Sequence, residues 1–399
     1  MTDAVGPASG QGTRTFVVVT GGGTAGHVLP ALAIAEALVD AGRDPSEIHY
    51  VGAERGIETR LLPATPFGHT FLDVVGLQRE LNRRNVRLNA AMLPELTTAT
   101  RRALALLRRL RPRVVVSVGG YASLPAVLAA RRLRVPIVVV SYDRRPGRSS
   151  ALTARMAAAS AVAYPDSPLP RAVVTGAPLR RRLLVVDRAR DRAEARWALD
   201  LPADRFVVAV TGGSQGSAAL NAAVADFVAG RGDDRGLAVR QIVGDRFLAA
   251  APAGRDGAEG VLHQVVGYDD RIEQLYAAAD LFVGRGGAST VAEVAVTGTP
   301  AVLVPWALAA EDHQTLNVRW LSDQGGAVLL AEEQLDRLGG LIDELRADPA
   351  RLAALASRAH DAGSLHRGGA LVEVIEQVAA TGTASGAGSG GRSRGAPSS

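Results

Sequence analysis

The sequence predicts an α/β protein made of two similar doubly wound halves. The first observation is that a β-branched run, a glycine-rich turn and an alanine-rich segment with helical periodicity occur at 17–27 and again from 208. The second is that strand-like and helix-like segments alternate along both halves, which is typical of parallel sheets covered by helices. We therefore expect two Rossmann-like domains that face a shared interdomain cleft.

The expected elements follow from short β-branched runs separated by helical patterns. In the first half the expected strands are Thr15–Thr20, Ile48–Val51, Phe71–Val75, Val114–Val118, Ile137–Val140, Val162–Ala163 and Val173–Val174. Helices are expected at Ala31–Ala41 and Leu96–Leu110. The second half repeats the scheme with strands at Phe206–Val210, Ala238–Ile242, Val261–Val265, Leu281–Val283 and Ala301–Val304.

The domain boundary is expected at the Gly/Pro turn Gly176-Ala177-Pro178, which follows the last strand of the first half. We expect one domain over residues 14–175 and a second over 176–380, with the last helix able to pack back on the first domain. The small polar residues 1–13 and the Gly/Ser/Ala/Arg-rich residues 381–399 are expected to be disordered.

Composition restricts the class of protein. The chain has 399 residues, of which 47% are hydrophobic, so it can bury a large core. We expect neither an export signal nor a membrane anchor, because no apolar run reaches about 18 residues. The absence of cysteine excludes disulfides, thiolate metal sites and cysteine nucleophiles. It fits a reducing compartment, so the cytoplasm is expected.

The 45 basic residues are all arginine, and many of them cluster between residues 79 and 113. The clustered residues are Arg79, Arg83, Arg84, Arg87, Arg101, Arg102, Arg108, Arg109, Arg111 and Arg113. Interspersed leucines make the segment amphipathic, which favours anionic lipid headgroups. A solvated helix face explains the pattern equally well. Nucleic acid is less favoured because the segment lacks aromatic residues that stack on bases.

The first candidate site is the turn from Gly22 to His27. Its glycines let backbone N–H groups approach a phosphate, and the following helix presents its positive end to the same place. His27 stands at the mouth of that helix, where a neutral imidazole could act as a general base. A structural histidine beside a common glycine-rich turn is the alternative interpretation.

The second candidate site is the segment Gly284–Glu293, in which a strand ends in glycines and a helix begins. Glu293 is a carboxylate that could accept hydrogen bonds from ribose hydroxyls. Thr290 and Glu293 also have the Thr-x-x-Glu spacing of a capping box, in which Glu293 would only satisfy helix N–H groups. Both interpretations are open on the sequence.

Six short motifs follow one another in order along the chain. They are Gly22–His27, Gly119–Pro125, Gly176–Arg180, Gly212–Gly216, Ala279–Glu293 and Asp312–Asn317. Together they resemble the MurG family of peptidoglycan N-acetylglucosaminyltransferases, which have the GT-B fold, and the resemblance covers residues 14–375. Each motif alone is weakly specific, but six in order are not expected by chance.

The resemblance implies an inverting transfer of N-acetylglucosamine from UDP-N-acetylglucosamine to undecaprenyl-pyrophosphoryl-N-acetylmuramoyl-pentapeptide. This step converts lipid I to lipid II in peptidoglycan synthesis, which supports bacterial cell-wall growth, shape and division. The enzyme would act peripherally at the cytoplasmic face of the membrane, with the acceptor on the N-terminal domain and the donor on the C-terminal domain. No cofactor, metal or nucleic acid is implied; Arg180 and helix N-termini would stabilise the departing diphosphate.

The resemblance also implies roles for individual residues. His27 would be the catalytic base, and Arg79, Arg83, Arg84 and Arg87 would contact the membrane. Ser214 and Gln215 would meet the diphosphate, and Glu293 the ribose. The implied donor-site residues are Thr24, Ala25, Gly26, Asp143, Arg180, Ser214, Gln215, Asp269, Ala288, Ser289, Thr290, Glu293, His313, Gln314 and Asn317. Of these, the backbone near Asp269 would read the uracil, and His313 and Gln314 would contact the sugar hydroxyls.

One segment departs from the family. Where the family usually carries His-Glu-Gln-Asn, this chain has Val140-Ser141-Tyr142-Asp143. Asp143 could still accept hydrogen bonds but adds negative charge and lacks the amide donors. The departure leaves open a related enzyme with another lipid-linked or natural-product acceptor. A UDP-sugar epimerase and a non-catalytic nucleotide-sugar-binding protein are further alternatives.

Overall fold

The computed structural model describes residues 14–74, 93–308 and 312–387. The chain divides into two compact units. Among the described residues, the first unit comprises 14–74, 93–141, 146–175 and 369–387, and the second comprises 142–145, 176–308 and 312–368. Each unit contains a seven-stranded sheet in the described part of the chain.

The sheet of the first unit is parallel throughout, in the order β3-β2-β1-β4-β5-β6-β7. Its strands are β1 (Val17–Gly21), β2 (Ile48–Ala53), β3 (Gly68–Leu72), β4 (Val114–Gly119), β5 (Ile137–Ser141), β6 (Ala159–Val162) and β7 (Ala172–Val174). The central strands are valine-rich and buried at every position, as expected for a parallel sheet covered on both faces.

Six α-helices belong to this unit in the described residues. They are α1 (Ala25–Asp40), α2 (Glu58–Leu61), α3 (Leu93–Leu110), α4 (Leu124–Leu133), α5 (Arg148–Ala154) and the last helix of the described residues, Ala370–Ala387. The last helix packs on α1 and on the central strands of this sheet. It includes residues 381–387, which composition assigned to the tail, whereas 388–399 lie outside the described residues.

The sheet of the second unit has the order β10-β11-β9-β8-β12-β13-β14. Its strands are β8 (Phe206–Thr211), β9 (Leu237–Ile242), β10 (Arg255–Asp256), β11 (Leu262–Val266), β12 (Leu281–Arg285), β13 (Ala301–Val304) and β14 (Val328–Leu329). Only β10, at an edge of the sheet, pairs antiparallel among these strands.

Ten α-helices of the second unit are described. They are α6 (Arg181–Leu184), α7 (Arg188–Ala198), α8 (Ala218–Ala229), α9 (Asp245–Leu248), α10 (Ile272–Ala278), α11 (Ala288–Thr297), α12 (His313–Ser322), α13 (Leu338–Ala347), α14 (Pro349–Ala362) and α15 (Ser364–Arg367). Apolar side chains on both faces of the sheet form two buried clusters, one on each side. The sheet is therefore the middle layer of a three-layer unit.

Some predicted bounds are wrong. Helix α1 begins at Ala25 and not at Ala31, so Pro30 lies inside the helix and His27 lies in its first turn. Strand β3 was expected at Phe71–Val75 but spans Gly68–Leu72, and its first residue, Gly68, pairs with His49 of β2. The predicted end, Val75, lies outside the described residues. Strand β6 also begins earlier than predicted, at Ala159. In both strands, pairing with a neighbouring strand overrides the weak β-propensity of the first residue, Gly68 in β3 and Ala159 in β6.

The arginine-rich segment is only partly described. Residues 75–92 lie outside the described part of the chain, and with them the predicted membrane contacts Arg79, Arg83, Arg84 and Arg87. Helix α3 buries a face formed by alanine and leucine, including Ala103 and Leu107, against α4. The exposed side of α3 carries Arg101, Arg102, Arg108 and Arg109. Within residues 14–74, 93–308 and 312–387, no helix is long and apolar enough to cross a bilayer.

Candidate functional site

The strand order of the second unit locates a crevice. The chain runs from β8 to β9 and β11 on one side of the sheet, and then from β12 to β13 and β14 on the other. The direction therefore reverses between β8 and β12, and in open α/β sheets ligands bind outside the carboxyl ends of the strands at this point. The loop after β8 carries the predicted donor-site residues 214–215, and the helices that follow β12 and β13, α11 and α12, begin with the predicted residues 288–293 and 313–317.

The loop after β8 is a tight turn that exposes its tip. Gly213 and Gly216 have φ of +79° and +64°, which disfavour any residue with a side chain. A Cβ on Gly216 would lie 2.3 Å from the carbonyl oxygen of Val243, so the turn packs closely on the end of β9. Ser214 and Gln215 stand exposed between these glycines, where a diphosphate can approach them.

Helix α11 begins directly after β12, with Gly287 as its extended N-cap residue. No side chain caps this helix, so the capping-box interpretation of Thr290 and Glu293 is wrong. Ala288 is buried, whereas Ser289 and Thr290 are half-buried in the first turn. An uncapped helix N-terminus at the switch point of the sheet is a favourable place for an anion.

Glu293 lies one turn further along α11 and faces Tyr276 of α10. The Tyr276 hydroxyl donates a hydrogen bond of 2.8 Å to Glu293 Oε2. Burial raises the pKa of Glu293 to about 7, although this hydrogen bond and the positive charge of Arg182 act in the opposite direction. Arg182 is itself paired with Glu273 at 3.2 Å. Glu293 is therefore a carboxyl group poised to change charge near neutral pH.

The loop after β13 leads into α12, whose first residues are His313 and Gln314. The side-chain oxygen Oε1 of Gln314 accepts a hydrogen bond of 2.9 Å from the backbone N–H of Trp306. Both His313 and Gln314 are half-buried. The side chain of Gln314 is thus held by the segment that immediately follows β13.

Asn317 is fully buried on the same helix and engages residues 143 and 144, which cluster with the second unit. Its Nδ2 donates to Asp143 Oδ1 at 3.0 Å, and its Oδ1 accepts from the Arg144 N–H at 2.9 Å. One oxygen of Asp143 thus already accepts a hydrogen bond from a buried amide, and the carboxylate has further acceptor capacity for a ligand.

The remaining predicted donor residues have different surroundings. Asp269 has a side chain only 4% exposed, and its carboxylate pairs with Arg240 and Arg271. Burial raises the pKa of Asp269, but hydrogen bonds from these two arginines outweigh it, and the net pKa lies below its ordinary value. The carboxylate is thus structural, which leaves the backbone near the exposed Tyr268 for a ligand. Arg180 is half-buried just before α6.

The first unit has a second switch point, between β1 and β4. His27 lies there, with its Nδ1 3.0 Å from the Thr24 hydroxyl. Gly120, which follows β4, has φ of +77°, and a Cβ on it would lie 3.4 Å from His27 Cγ. The imidazole ring therefore lies against the backbone of Gly120, in the Gly119–Pro125 motif. Ala25 and Gly26 belong to the first turn of α1 with His27.

Glu58 is a residue of this loop region that the sequence analysis missed. It is fully buried, and its Oε1 accepts hydrogen bonds from the N–H groups of Gly23 (3.1 Å) and Ala53 (2.8 Å). A Cβ on Gly22 or Gly56 would lie 2.2 or 1.9 Å from its carboxyl oxygens. These glycines therefore make room for Glu58. The Gly23 N–H already donates its hydrogen bond to Glu58, so it does not have the predicted role of facing a phosphate.

Within the described ranges, no group of three histidine, aspartate or glutamate side chains could hold a metal ion. Each unit thus has its own cluster of candidate residues. In the first unit the cluster is the loop region around His27, and in the second it is formed by the segments that follow β8, β12 and β13.

Known proteins with similar sequences and structures agree with this architecture. Residues 17–162 match the glycosyltransferase family 28 N-terminal domain, and residues 207–367 match the glycosyltransferase family 28 C-terminal domain. The structure of MurG from Acinetobacter baumannii superposes with a TM-score of 0.65 at 25% identity, covering 92% of this chain and 100% of that one. The two units therefore define a two-domain glycosyltransferase of the GT-B fold.

The sequence comparison is more specific. The chain is 39% identical over 349 residues to the UDP-N-acetylglucosamine–N-acetylmuramyl-(pentapeptide) pyrophosphoryl-undecaprenol N-acetylglucosamine transferase of Nocardioides sp.. That alignment covers 86% of this chain and 92% of the relative. The chain belongs to the MurG family. A UDP-GlcNAc 2-epimerase from Neisseria meningitidis shares the fold, with a TM-score of 0.60 over 92% of this chain and 100% of its own, but only 11% identity.

Proposed function

We propose that this protein transfers N-acetylglucosamine from UDP-N-acetylglucosamine to undecaprenyl-pyrophosphoryl-N-acetylmuramoyl-pentapeptide in peptidoglycan synthesis. The observation that carries the proposal is the crevice of the second unit, where the loops after β8, β12 and β13 meet at a topological switch point. Such crevices bind nucleotides in doubly wound sheets. Family membership supplies the choice of this nucleotide sugar, since the Nocardioides relative is named for it.

The donor would bind along these three loops. The exposed Ser214 and Gln215, with the uncapped start of α11, would receive the diphosphate. Glu293 would accept hydrogen bonds from the ribose hydroxyls, and the backbone near Asp269 would meet the uracil. His313 and Gln314 would contact the hexosamine hydroxyls, and Asn317 would support them by holding Asp143. Arg180 would offset the negative charge of the diphosphate.

The reaction is an inverting displacement. The acceptor hydroxyl oxygen attacks the anomeric carbon, a new C–O bond forms, and the bond from that carbon to the diphosphate oxygen breaks. UDP leaves with the bonding electrons, while the hydroxyl proton passes to a base. We assign that role to His27, whose Nδ1 lies 3.0 Å from the Thr24 hydroxyl: in the tautomer that carries its proton on Nδ1, Nε2 is the basic nitrogen of the ring. The start of α11 and Arg180 would stabilise the charge on the leaving diphosphate.

The membrane is the second part of the proposal, because a lipid-linked acceptor resides there. The exposed arginines of α3 lie on the side opposite its buried face, and they would attract anionic headgroups by about 1 kcal/mol each. Binding would be peripheral, at the cytoplasmic face. Cosedimentation with phosphatidylglycerol vesicles should exceed that with phosphatidylcholine vesicles, and Arg101→Glu with Arg108→Glu should reduce the difference.

Two alternatives make different predictions. An enzyme with another acceptor would follow from the Asp143 departure, and it would release UDP only with that acceptor. An epimerase, like the Neisseria protein of similar fold, would convert UDP-N-acetylglucosamine with no acceptor present. The test is incubation of the labelled donor with and without a short-chain muramoyl-pentapeptide lipid. Transfer of label to the lipid supports the proposal, and conversion of the donor alone contradicts it.

A further inference from the structure

Two consecutive backbone amides after β13 are held from different directions. The Trp306 N–H donates to Gln314 Oε1 at 2.9 Å, and the Ala307 N–H donates to Glu332 Oε2 at 2.8 Å. Glu332 begins the 3₁₀ segment Glu332–Arg337, which follows β14 in the chain. The segment Trp306–Ala307 therefore connects Gln314, a residue of the donor crevice, with the carboxylate of Glu332.

Glu332 is itself fixed by a buried cation. Arg285, at the end of β12, is 8% exposed, and its Nη2 donates to Glu332 Oε1 and, at 2.5 Å, to the hydroxyl of Ser217. Ser217 is the N-cap of α8 and accepts a hydrogen bond from the Leu220 N–H. Removing one partner of a buried, hydrogen-bonded ion pair leaves the other uncompensated. The carboxylate of Glu332 is therefore held at both oxygens, by Arg285 and by the Ala307 N–H.

The arrangement dictates how Gln314 presents its amide. A backbone N–H can be met only by the oxygen of a side-chain amide, so Trp306 holds the Oε1 end of Gln314. The Nε2 end is then the one left to donate to a ligand. A shift of the Trp306–Ala307 segment would release the oxygen and allow the amide to rotate.

We propose that Glu332 is a positioning residue for recognition of the hexosamine. It holds the Trp306–Ala307 segment in place against Arg285, and through that segment it fixes the direction of the Gln314 amide. We expect its effect to fall mainly on the sugar part of the donor. The Trp306–Ala307 segment leads from Glu332 to Gln314, whereas the ion pair with Arg285 leads to Ser217 and not to the residues assigned to the ribose or the uracil. The inference rests on the proposed function, which supplies the nucleotide sugar as ligand.

The first arm of the test measures the affinity for UDP-N-acetylglucosamine and for UDP by calorimetry. Glu332→Gln retains one oxygen, which can accept from Arg285 or from Ala307 but not from both. We expect the Kd for UDP-N-acetylglucosamine to rise about fivefold, the size of one weakened hydrogen bond, and the Kd for UDP to stay within about twofold. The matched control is Glu333→Gln, because Glu333 is the exposed neighbouring carboxylate and its loss should change neither value.

The second arm is a double-mutant cycle with Gln314→Ala. If Glu332 acts through Gln314, then Glu332→Gln has no further effect on UDP-N-acetylglucosamine binding once Gln314 is truncated. An additive cycle, or an equal loss of affinity for UDP, overturns the inference. If thermal unfolding shows that Glu332→Gln does not fold, Glu332→Asp takes its place in the same cycle. A parent protein that does not bind UDP-N-acetylglucosamine contradicts the proposed function itself, which is a distinguishable result.

Discussion

The hydroxyl of Tyr276 donates a hydrogen bond of 2.8 Å to Oε2 of Glu293, the carboxyl group whose pKa burial raises to about 7. Ionised Glu293 is a stronger acceptor for ribose hydroxyls than the neutral acid. We therefore expect the affinity for UDP-N-acetylglucosamine to increase about fivefold between pH of about 6 and about 8. The ligand itself does not change charge between these two pH values, because both phosphates of its diphosphate are esterified. Calorimetry on the parent and on Glu293→Gln checks the prediction, since the variant should show no such increase.

The same group links stability to pH. The pKa of Glu293 in the folded protein, about 7, lies above its ordinary value of 4.5, so the folded state binds more protons between these values. Stability contributed by Glu293 therefore falls as the pH rises through this window. Relative to Glu293→Gln, the parent should lose on the order of 2 kcal/mol of unfolding free energy between the two ends of the window. Urea unfolding at both pH values measures the difference, and a constant difference would rule out the assigned pKa.

Replacement of Glu58 should destabilise the first unit. Glu58→Ala leaves the N–H groups of Gly23 and Ala53 without their acceptor and opens a cavity, so we expect a loss of about 3 kcal/mol. Glu58→Gln keeps an acceptor oxygen and should lose less. Circular dichroism during urea unfolding is the measurement. Glu54→Ala, at an exposed carboxylate nearby, is the control and should be neutral; equal effects in both would show that Glu58 does not brace the loop.

Loss of His27 should slow turnover more than it weakens donor binding. General-base assistance is typically worth about 10²–10⁴-fold, so kcat of His27→Ala should fall within that range while KM for UDP-N-acetylglucosamine stays nearly constant. Thr24→Val removes the partner of His27 Nδ1 and should give a smaller decrease in kcat. Steady-state kinetics on the three proteins tests both statements. Unchanged turnover in His27→Ala would remove this residue from the mechanism.

The Asp143–Asn317 pair can be tested by exchanging the two residues. Asn317→Asp would bring two carboxylates together at a buried position, and we expect donor affinity to fall about tenfold or more. The double variant Asp143→Asn with Asn317→Asp restores one amide donor facing one carboxylate, and its acceptor oxygens can still receive the Arg144 N–H. Donor affinity should recover in the double variant. If donor affinity does not recover in the double variant, the Asp143–Asn317 hydrogen bond is not what stabilises this part of the crevice.

The sheets were largely predictable because buried parallel strands appear as continuous β-branched runs. Val114–Gly119 and Ala301–Val304 are examples. The strands Arg255–Asp256 and Val328–Leu329 were missed because two-residue edge strands have no periodicity to detect. The start of α1 was misplaced because an alanine-rich run gives no sharp helix boundary.

His27 and Glu293 could be singled out from the sequence because each lies in a helix that directly follows a glycine-rich turn, and such turns are recognisable locally. The buried acids Glu58 and Glu332 could not, because nothing local distinguishes a buried glutamate from an exposed one. Their partners lie far away in sequence: Gly23 is 35 residues from Glu58, and Arg285 is 47 residues from Glu332. Only the folded sheets bring these groups together.

The most direct measurement is a crystal structure with bound UDP-N-acetylglucosamine. The account predicts the diphosphate at Ser214, Gln215 and the start of α11, the ribose hydroxyls on Glu293, and a hexosamine hydroxyl within hydrogen-bonding distance of Gln314 Nε2. A nucleotide sugar bound away from the carboxyl ends of β8, β12 and β13 would contradict it.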